Sequence, residues 1–283
     1  MRKTTDLLID KTIAPSTGAT SGKDNLGEME NKGIEVKIDG YVISNNDFSL
    51  QIGSNIMHNN NKILKISNAL QSQNQTNNDL QSLAPLPQFV EGESTTALKV
   101  VKSGGIDPAT GQEIYIKRNG ELTFTYDPAD KVNVGDQLPV VSGNFFANAR
   151  YKNFTASAYL GFRYGGYIRA SKVEGADPRY NADVRVFESR WKEPGDIADY
   201  KDIKDQSMPR QTTRFVEKEN TLNLHRFNVA YEFDAHVAAK LGARKLSVGL
   251  GVNDLFRFST VRMERGTNYL YSRGLDISII ALF

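Results

Sequence analysis

The sequence contains no cysteine, one tryptophan and three histidines in 283 residues. Disulfide scaffolds and thiolate chemistry are thereby excluded. The histidines, His58, His225 and His236, lie far apart in the chain, so no metal cluster is expected from them. Only His225 occupies a plausible strand position for a Ser/His or Asp/His arrangement, and neither an enzyme nor a cofactor site is expected. No stretch approaches the roughly 18 consecutive apolar residues that a membrane helix requires. An excess of one charge is missing too: 35 basic residues against 33 acidic ones give +2, with no reason to expect nucleic acid as a partner. Met1 is followed by Arg-Lys-Thr-Thr-Asp, without the apolar run and cleavage site of a secretory leader.

What the chain has in quantity is alternation. Along residues 141–151, Val141, Gly143, Phe145, Ala147, Ala149 and Tyr151 share one phase. Ser142, Asn144, Asn148, Arg150 and Lys152 share the other, with Phe146 as an exception. After a turn at Lys152 and Asn153, the apolar phase resumes with Phe154, Ala156, Ala158, Leu160, Phe162 and Tyr164. Successive strand residues point to opposite faces, so this is a hairpin with one oily and one polar side. Each strand runs about 11 residues, the length a tilted strand needs to cross a bilayer. Tyr151, Phe154 and Tyr164 fall at the ends of the oily side, where a membrane barrel carries aromatic girdles. A soluble sandwich hairpin also alternates, so this stretch by itself leaves both readings open.

The same pattern recurs along the chain. Residues 4–9 read as the end of a strand and 10–29 as a loop. Residues 33–44 and 48–56 form a second hairpin around the turn residues Asn45, Asn46 and Asp47. Residues 59–138 form a long excursion that includes an Asn/Gln-rich tract at 68–83, read as exposed and mobile. A short ordered hairpin is expected at 106–115, where Asp-Pro and Thr-Gly signal turns. Residues 220–233 and 245–256 are strands, the first with a slip at His225 and Arg226 that fits a bulge resetting the phase. Leu275, Ile277, Ile279, Ala281 and Phe283 close the chain in one phase.

Eight strands emerge, and their long and short connections alternate. Outer-membrane barrels place long loops outside the cell and short turns in the periplasm, whereas a sandwich has no reason to gather its long loops at one end. The mean hydropathy of −0.45 is compatible with this, because the polar face and the loops dilute the oily half. The predicted fold is therefore all-β: a partial transmembrane antiparallel β-barrel of about eight up-and-down strands, with long extracellular loops and short periplasmic turns. Ser157, Gly161, Gly165, Gly53, Ser247, Gly249 and Gly251 on the polar phase are small for an eight-stranded barrel, whose interior side chains must fill. An arc of a wider barrel is the simpler reading, and an autonomous small barrel acting as an adhesin is the alternative.

Several stretches carry a family resemblance. These are Asn31-Lys32-Gly33-Ile34-Glu35, the run 55–62 (NIMHNNNK), the run 105–115 (GIDPATGQEIY) and the run 190–196 (RWKEPGD). Thr213-Arg214-Phe215-Val216, Leu222-Asn223-Leu224, Tyr231-Glu232-Phe233, Asn253-Asp254-Leu255-Phe256 and the terminal Phe283 continue the series. In this order they resemble the C-terminal barrel portion of a SusC-like or RagA-like TonB-linked outer-membrane transporter. The resemblance implies that residues 1–283 are the last eight strands of a barrel of about 22, with plug and N-terminal strands lying outside the chain. It implies outer-membrane import of oligosaccharides or peptides, a SusD-like surface lipoprotein over the long loops, and TonB as energy partner. Within that reading, Trp191 and Tyr180 are candidates for stacking on substrate, and Arg163 and Arg150 for lining the lumen. A loop anchor is the plainer role for Trp191.

Overall fold

Alternation along residues 141–164 becomes a ladder in three dimensions. The structure, a computed structural model, describes residues 1–5, 8–12, 21–25, 27–79, 88–169, 184–205, 210, 212–262 and 273–283. Its strands begin with β1 (Arg2–Thr4), β2 (Leu8–Thr12), β3 (Ser21–Asn25), β4 (Gly27–Ser44) and β5 (Phe48–Ile66). Short strands follow: β6 (Ala97–Val100), β7 (Lys102–Ile106), β8 (Glu113–Ile116), β9 (Leu122–Thr123) and β10 (Val132–Asp136). Long ones return with β11 (Val141–Tyr151), β12 (Phe154–Arg169), β13 (Val216–Glu232), β14 (Lys245–Ser259) and β15 (Gly274–Leu282). Among the described residues the α-helices are α1 (Asn68–Asp79), α2 (Val184–Glu188) and α3 (Ala235–Lys240).

Eight strands share one sheet in the order β1-β4-β5-β11-β12-β13-β14-β15, so strands that follow one another along the chain lie side by side. The chain divides into two compact units. The sheet unit comprises Gly33–Asn59, Pro139–Gly165 and Glu219–Phe283, and the loop unit Met1–Lys32, Asn60–Leu138 and Gly166–Lys218.

In the sheet unit the oily phase of each strand meets the oily phase of its neighbour. Phe145 faces Leu160, Ala147 faces Ala158 and Ile52, Ala149 faces Ala156 and Leu50, and Tyr151 faces Phe154 and Phe48. On β14 and β15, Val248 faces Ile279, Leu250 faces Ile277 and Val252 faces Leu275. No second layer covers these residues among those described. Ile34, Ile277 and Ile279 are 70%, 73% and 71% exposed, which no water-soluble sandwich core permits. Aromatic rings cap this face beside the short turns: Phe48 lies 6.5 Å from Tyr151, and Tyr231 lies 4.6 Å from Phe154 and 5.0 Å from Phe233.

The predicted slip at His225 is present, with its extra residue on the other strand. Leu224 faces Phe256 but Arg226 faces Asn253, so Asp254 and Leu255 of β14 oppose the single His225. Asp254 holds φ at +51°, a left-handed conformation that Asp tolerates better than most side chains.

Other boundaries differ from the sequence reading. β4 starts at Gly27 and β5 continues to Ile66, because backbone pairing outlasts the clean alternation. Residues 10–29 are not wholly loop: Leu8 to Thr12 pair antiparallel with Ser21 to Asn25. The largest correction is the Asn/Gln tract, whose residues 68–79 form α1 instead of an exposed mobile run. Leu70 is buried against Ile63 and Phe89, and Asn74 clasps the Phe89 backbone, accepting from its N–H at 2.9 Å and donating to its carbonyl at 2.6 Å. Residues 80–83 of that tract lie outside the described residues.

Candidate functional site

Two places in the molecule concentrate polar chemistry, one in each unit. On the polar face of the sheet, the register stacks side chains into rows. Ser49, Arg150 and Thr155 lie side by side, then Gln51, Asn148 and Ser157, then Gly53, Phe146 and Tyr159, then Asn55, Asn144 and Gly161. Phe146, the exception in the alternation, lies over Gly53, where an added Cβ would come within 2.3 Å of the ring. It stacks on Tyr159 at 6.3 Å between centroids. Gly161 similarly seats the His225 imidazole, and Gly251 seats the Asp276 carboxylate. The small residues of this face are thus seats for neighbouring side chains.

Below the aromatic row the face is hollowed into a depression of about 310 Å³, lined by Tyr41, Gln51, Asn148, Arg150, Ser157 and Asn228 among others. Arg150 is exposed, and its Nε donates to the Lys152 carbonyl at 3.2 Å. Gln51 Nε2 donates to Asp39 at 3.4 Å, and Asp39 lies 3.9 Å from Lys37. Arg163 is exposed on the same polar phase, opposite Ser142 in the β11–β12 register. Two of the four residues singled out from sequence therefore share this face.

In the loop unit the polar centre is Glu113, 2% exposed. Arg214 grips it in a two-pronged pair, Nε to Oε1 and Nη2 to Oε2, both at 2.9 Å. Thr212 Oγ1 donates to the same carboxylate at 2.6 Å, and Arg214 Nη1 donates to the Asp199 carbonyl at 2.5 Å. Burial, with the Glu113 carboxylate next, pushes the Tyr115 phenol far above its usual range. Three sequence-distant stretches are tied here: β8, the turn before β13, and residues 196–200. Nothing in residue spacing announces this centre, since its members are about a hundred positions apart.

Trp191 belongs to this unit as well. It is 7% exposed, and its indole Nε1 donates to the Pro108 carbonyl at 2.9 Å. Gly111, at φ +70°, lies against the ring face, with an added Cβ only 2.6 Å away. The tryptophan anchors the 106–115 hairpin to residues 190–202, a position without an open stacking surface. That hairpin itself forms as expected, β7 pairing with β8. Tyr180 lies outside the described residues. No group of three or more metal-binding side chains occurs among the described residues.

No family model matches the sequence. Among curated proteins, TonB-dependent receptor P3 of Formosa agariphila is 29% identical over 191 residues, covering 59% of this chain and 18% of the receptor. TonB-dependent receptor P39 of the same organism is 22% identical over 313 aligned residues, covering 92% of this chain and 29% of the receptor. Among solved structures, the RagAB peptide transporter superposes with a TM-score of 0.72 at 19% identity, over 92% of this chain and 29% of that one. The RagAB peptide importer in its open-open state gives 0.75 at 19% identity, over 99% of this chain and 32% of that one. The chain thus spans less than a third of the length of these relatives and neighbours. Its fold is that of the barrel transporters with which it superposes, and the curated proteins it resembles in sequence are TonB-dependent receptors.

Proposed function

We propose that this chain is the C-terminal, eight-stranded part of the barrel of a TonB-dependent outer-membrane transporter, with plug and remaining strands supplied by the rest of the protein. Its cargo is an oligosaccharide or a peptide. A SusD-like surface lipoprotein covers the long loops, and TonB drives transport from the periplasm. The observation that carries this reading is the sheet unit itself. One face is oily, exposed and capped by aromatics, while the other is a polar wall, as expected when acyl chains lie on one side and a lumen on the other. Both edges of the wall support an arc: β15 pairs only with β14, and β4 beyond its opening residues only with β5, among the described residues. An autonomous adhesin barrel would need those edges joined. The peptide alternative draws support from the RagAB neighbours, which are described as peptide importers.

The test is genetic and biochemical. The gene encoding the full protein is deleted in its host, and uptake of fluorescent oligosaccharides and peptides is compared with and without an energised TonB system. Loss of uptake of one class, restored by the wild-type gene, is expected together with co-purification of a surface lipoprotein. Normal TonB-dependent uptake of every substrate in the deletion strain would overturn the transporter reading.

A further inference from the structure

The geometry points to a carboxylate-binding subsite in the depression on the polar face of the sheet, with Arg150 as its recognition residue. The inference rests on the proposal that this face lines a lumen, and it adds what that wall recognises.

The register places Arg150 between Ser49 and Thr155, with Asn148 and Gln51 in the next row. Its Nε is held by the Lys152 carbonyl, and this fixes the plane of the guanidinium instead of leaving it to swing. The Nη edge bears no carboxylate among the described residues, and no Asp or Glu lines the depression. Asp39, on the same face of β4, is engaged by Gln51 and Lys37. The surrounding groups are amides and hydroxyls (Asn148, Asn228, Ser157 and Tyr41), which can donate to an oxyanion and bring no rival negative charge to the guanidinium.

A fork of parallel N–H donors matches a carboxylate in a way that neither a neutral hydroxyl nor a lysine does. At about 310 Å³ the depression is at the small end of ligand sites, room for one acidic sugar or amino-acid unit. Phe146 and Tyr159, one row further along, give such a unit an aromatic neighbour. Contrast the loop unit, where Arg214 already holds Glu113: that guanidinium is satisfied, whereas Arg150 has the donors and no acid.

One chemistry has two possible sources here, a carboxylate on a solute in the lumen or one from another segment of the same protein. The experiment separates them in the full-length, detergent-solubilised transporter, using wild type, R150Q and R150K. Trifluoroacetate is the probe, followed by fluorine NMR line broadening, with trifluoroethanol as the neutral control. If the site takes a solute, wild type broadens the anion but not the alcohol. R150Q then weakens that effect about tenfold, the worth of one charged hydrogen-bond pair, and R150K retains part of it. If an internal acid fills the site, the anion is not bound, but R150Q lowers the melting temperature by about 2–4 °C at low salt. That loss shrinks in concentrated NaCl and is partly rescued by R150K. A correctly folded barrel, shown by heat-modifiable migration in gels, that displays neither behaviour overturns the subsite alone. Failure of the barrel assay itself would instead refute the lumen reading.

Discussion

The loop unit and the sheet unit are built from one chain on opposite plans. The loop unit has an ordinary protein interior: Val100, Val101, Val186, Phe215 and Trp191 are buried, and so is the carboxylate of its central charge pair. The sheet unit inverts this. Along its oily phase Ile34, Ile277 and Ile279 are exposed, while Ser142, Gly161, Gly249 and Gly251 of the polar phase are buried. The lesson is that an apolar residue carries no fixed instruction to go inside; it goes where its solvent is poorest in water. In the loop unit that place is a core, and in the sheet unit it is a bilayer.

The comparison can be broken most sharply at Glu113. Replacing it by alanine leaves the Arg214 guanidinium buried without its acid, a loss of about 3–5 kcal/mol for pairs of this kind. The expected outcome is a large red shift of the emission from Trp191, the one tryptophan of these 283 residues and a reporter within the loop unit. Hydrogen exchange in β7 and β8 should accelerate, while that of β14 stays at its original rate. Equal acceleration in both would mean that the two regions do not open separately.

A smaller effect is expected from charge on the oily face. Ala147 lies midway along β11, between Ile52 and Ala158. An A147R variant should lose about 2–4 kcal/mol of folding free energy in vesicles if this face meets lipid near the midplane. N148R, one residue on and facing the other way, should lose far less. Urea titration of the two variants measures the difference, and comparable losses would erase the assignment of faces. Smaller again is G111A, expected to cost about 1–3 kcal/mol by pressing a methyl into the Trp191 ring from a left-handed backbone position. Its readout is greater acrylamide quenching of Trp191.

The sequence made these two regions unequally legible. Strand β11 and the first eleven residues of β12 were readable almost to the residue because a period of two persists there, and one-residue errors would turn every side chain over; β12 runs on to Arg169, past the end of the alternation. The girdle was half readable: Tyr151 and Phe154 stood out, but the parts played by Phe48 and Tyr231 depend on register between strands. Helix α1 was not readable, because its tract has little apolar content and its order comes from Leu70 and from the Asn74 clasp on distant Phe89. The Glu113 centre was invisible for the same reason, being made by contacts across about a hundred residues. Of the four residues singled out for binding, the arginines were placed by periodicity on the polar wall. Only its residue type points to Trp191, and type does not separate an anchor from a platform.

The finest distinction between the units lies in how a turn is held, and Asp107 tests it. Its carboxylate accepts from the Thr110 hydroxyl at 2.6 Å and from the Ala109 amide at 3.3 Å, closing the turn that carries Pro108 beneath Trp191. The Thr110 hydroxyl, then the backbone amides, hold its pKa below the ordinary aspartate value. A depressed folded pKa means the turn's stabilisation is complete above the unfolded value and is lost as pH falls through the folded one. Exchange at the Ala109 and Gly111 amides, corrected for intrinsic rate, should therefore rise on acidification. The D107N variant keeps an acceptor oxygen but cannot titrate, so its exchange should stay flat over the same range. The turn at Asn45 is the natural control: its amide oxygen already accepts from the Asp47 and Phe48 amides at 3.2 and 2.7 Å, with no proton to gain. Were the wild-type Asp107 turn as indifferent to acid as the Asn45 turn, the carboxylate would be ornamental there, and the hairpin would owe its order to Trp191 and Gly111.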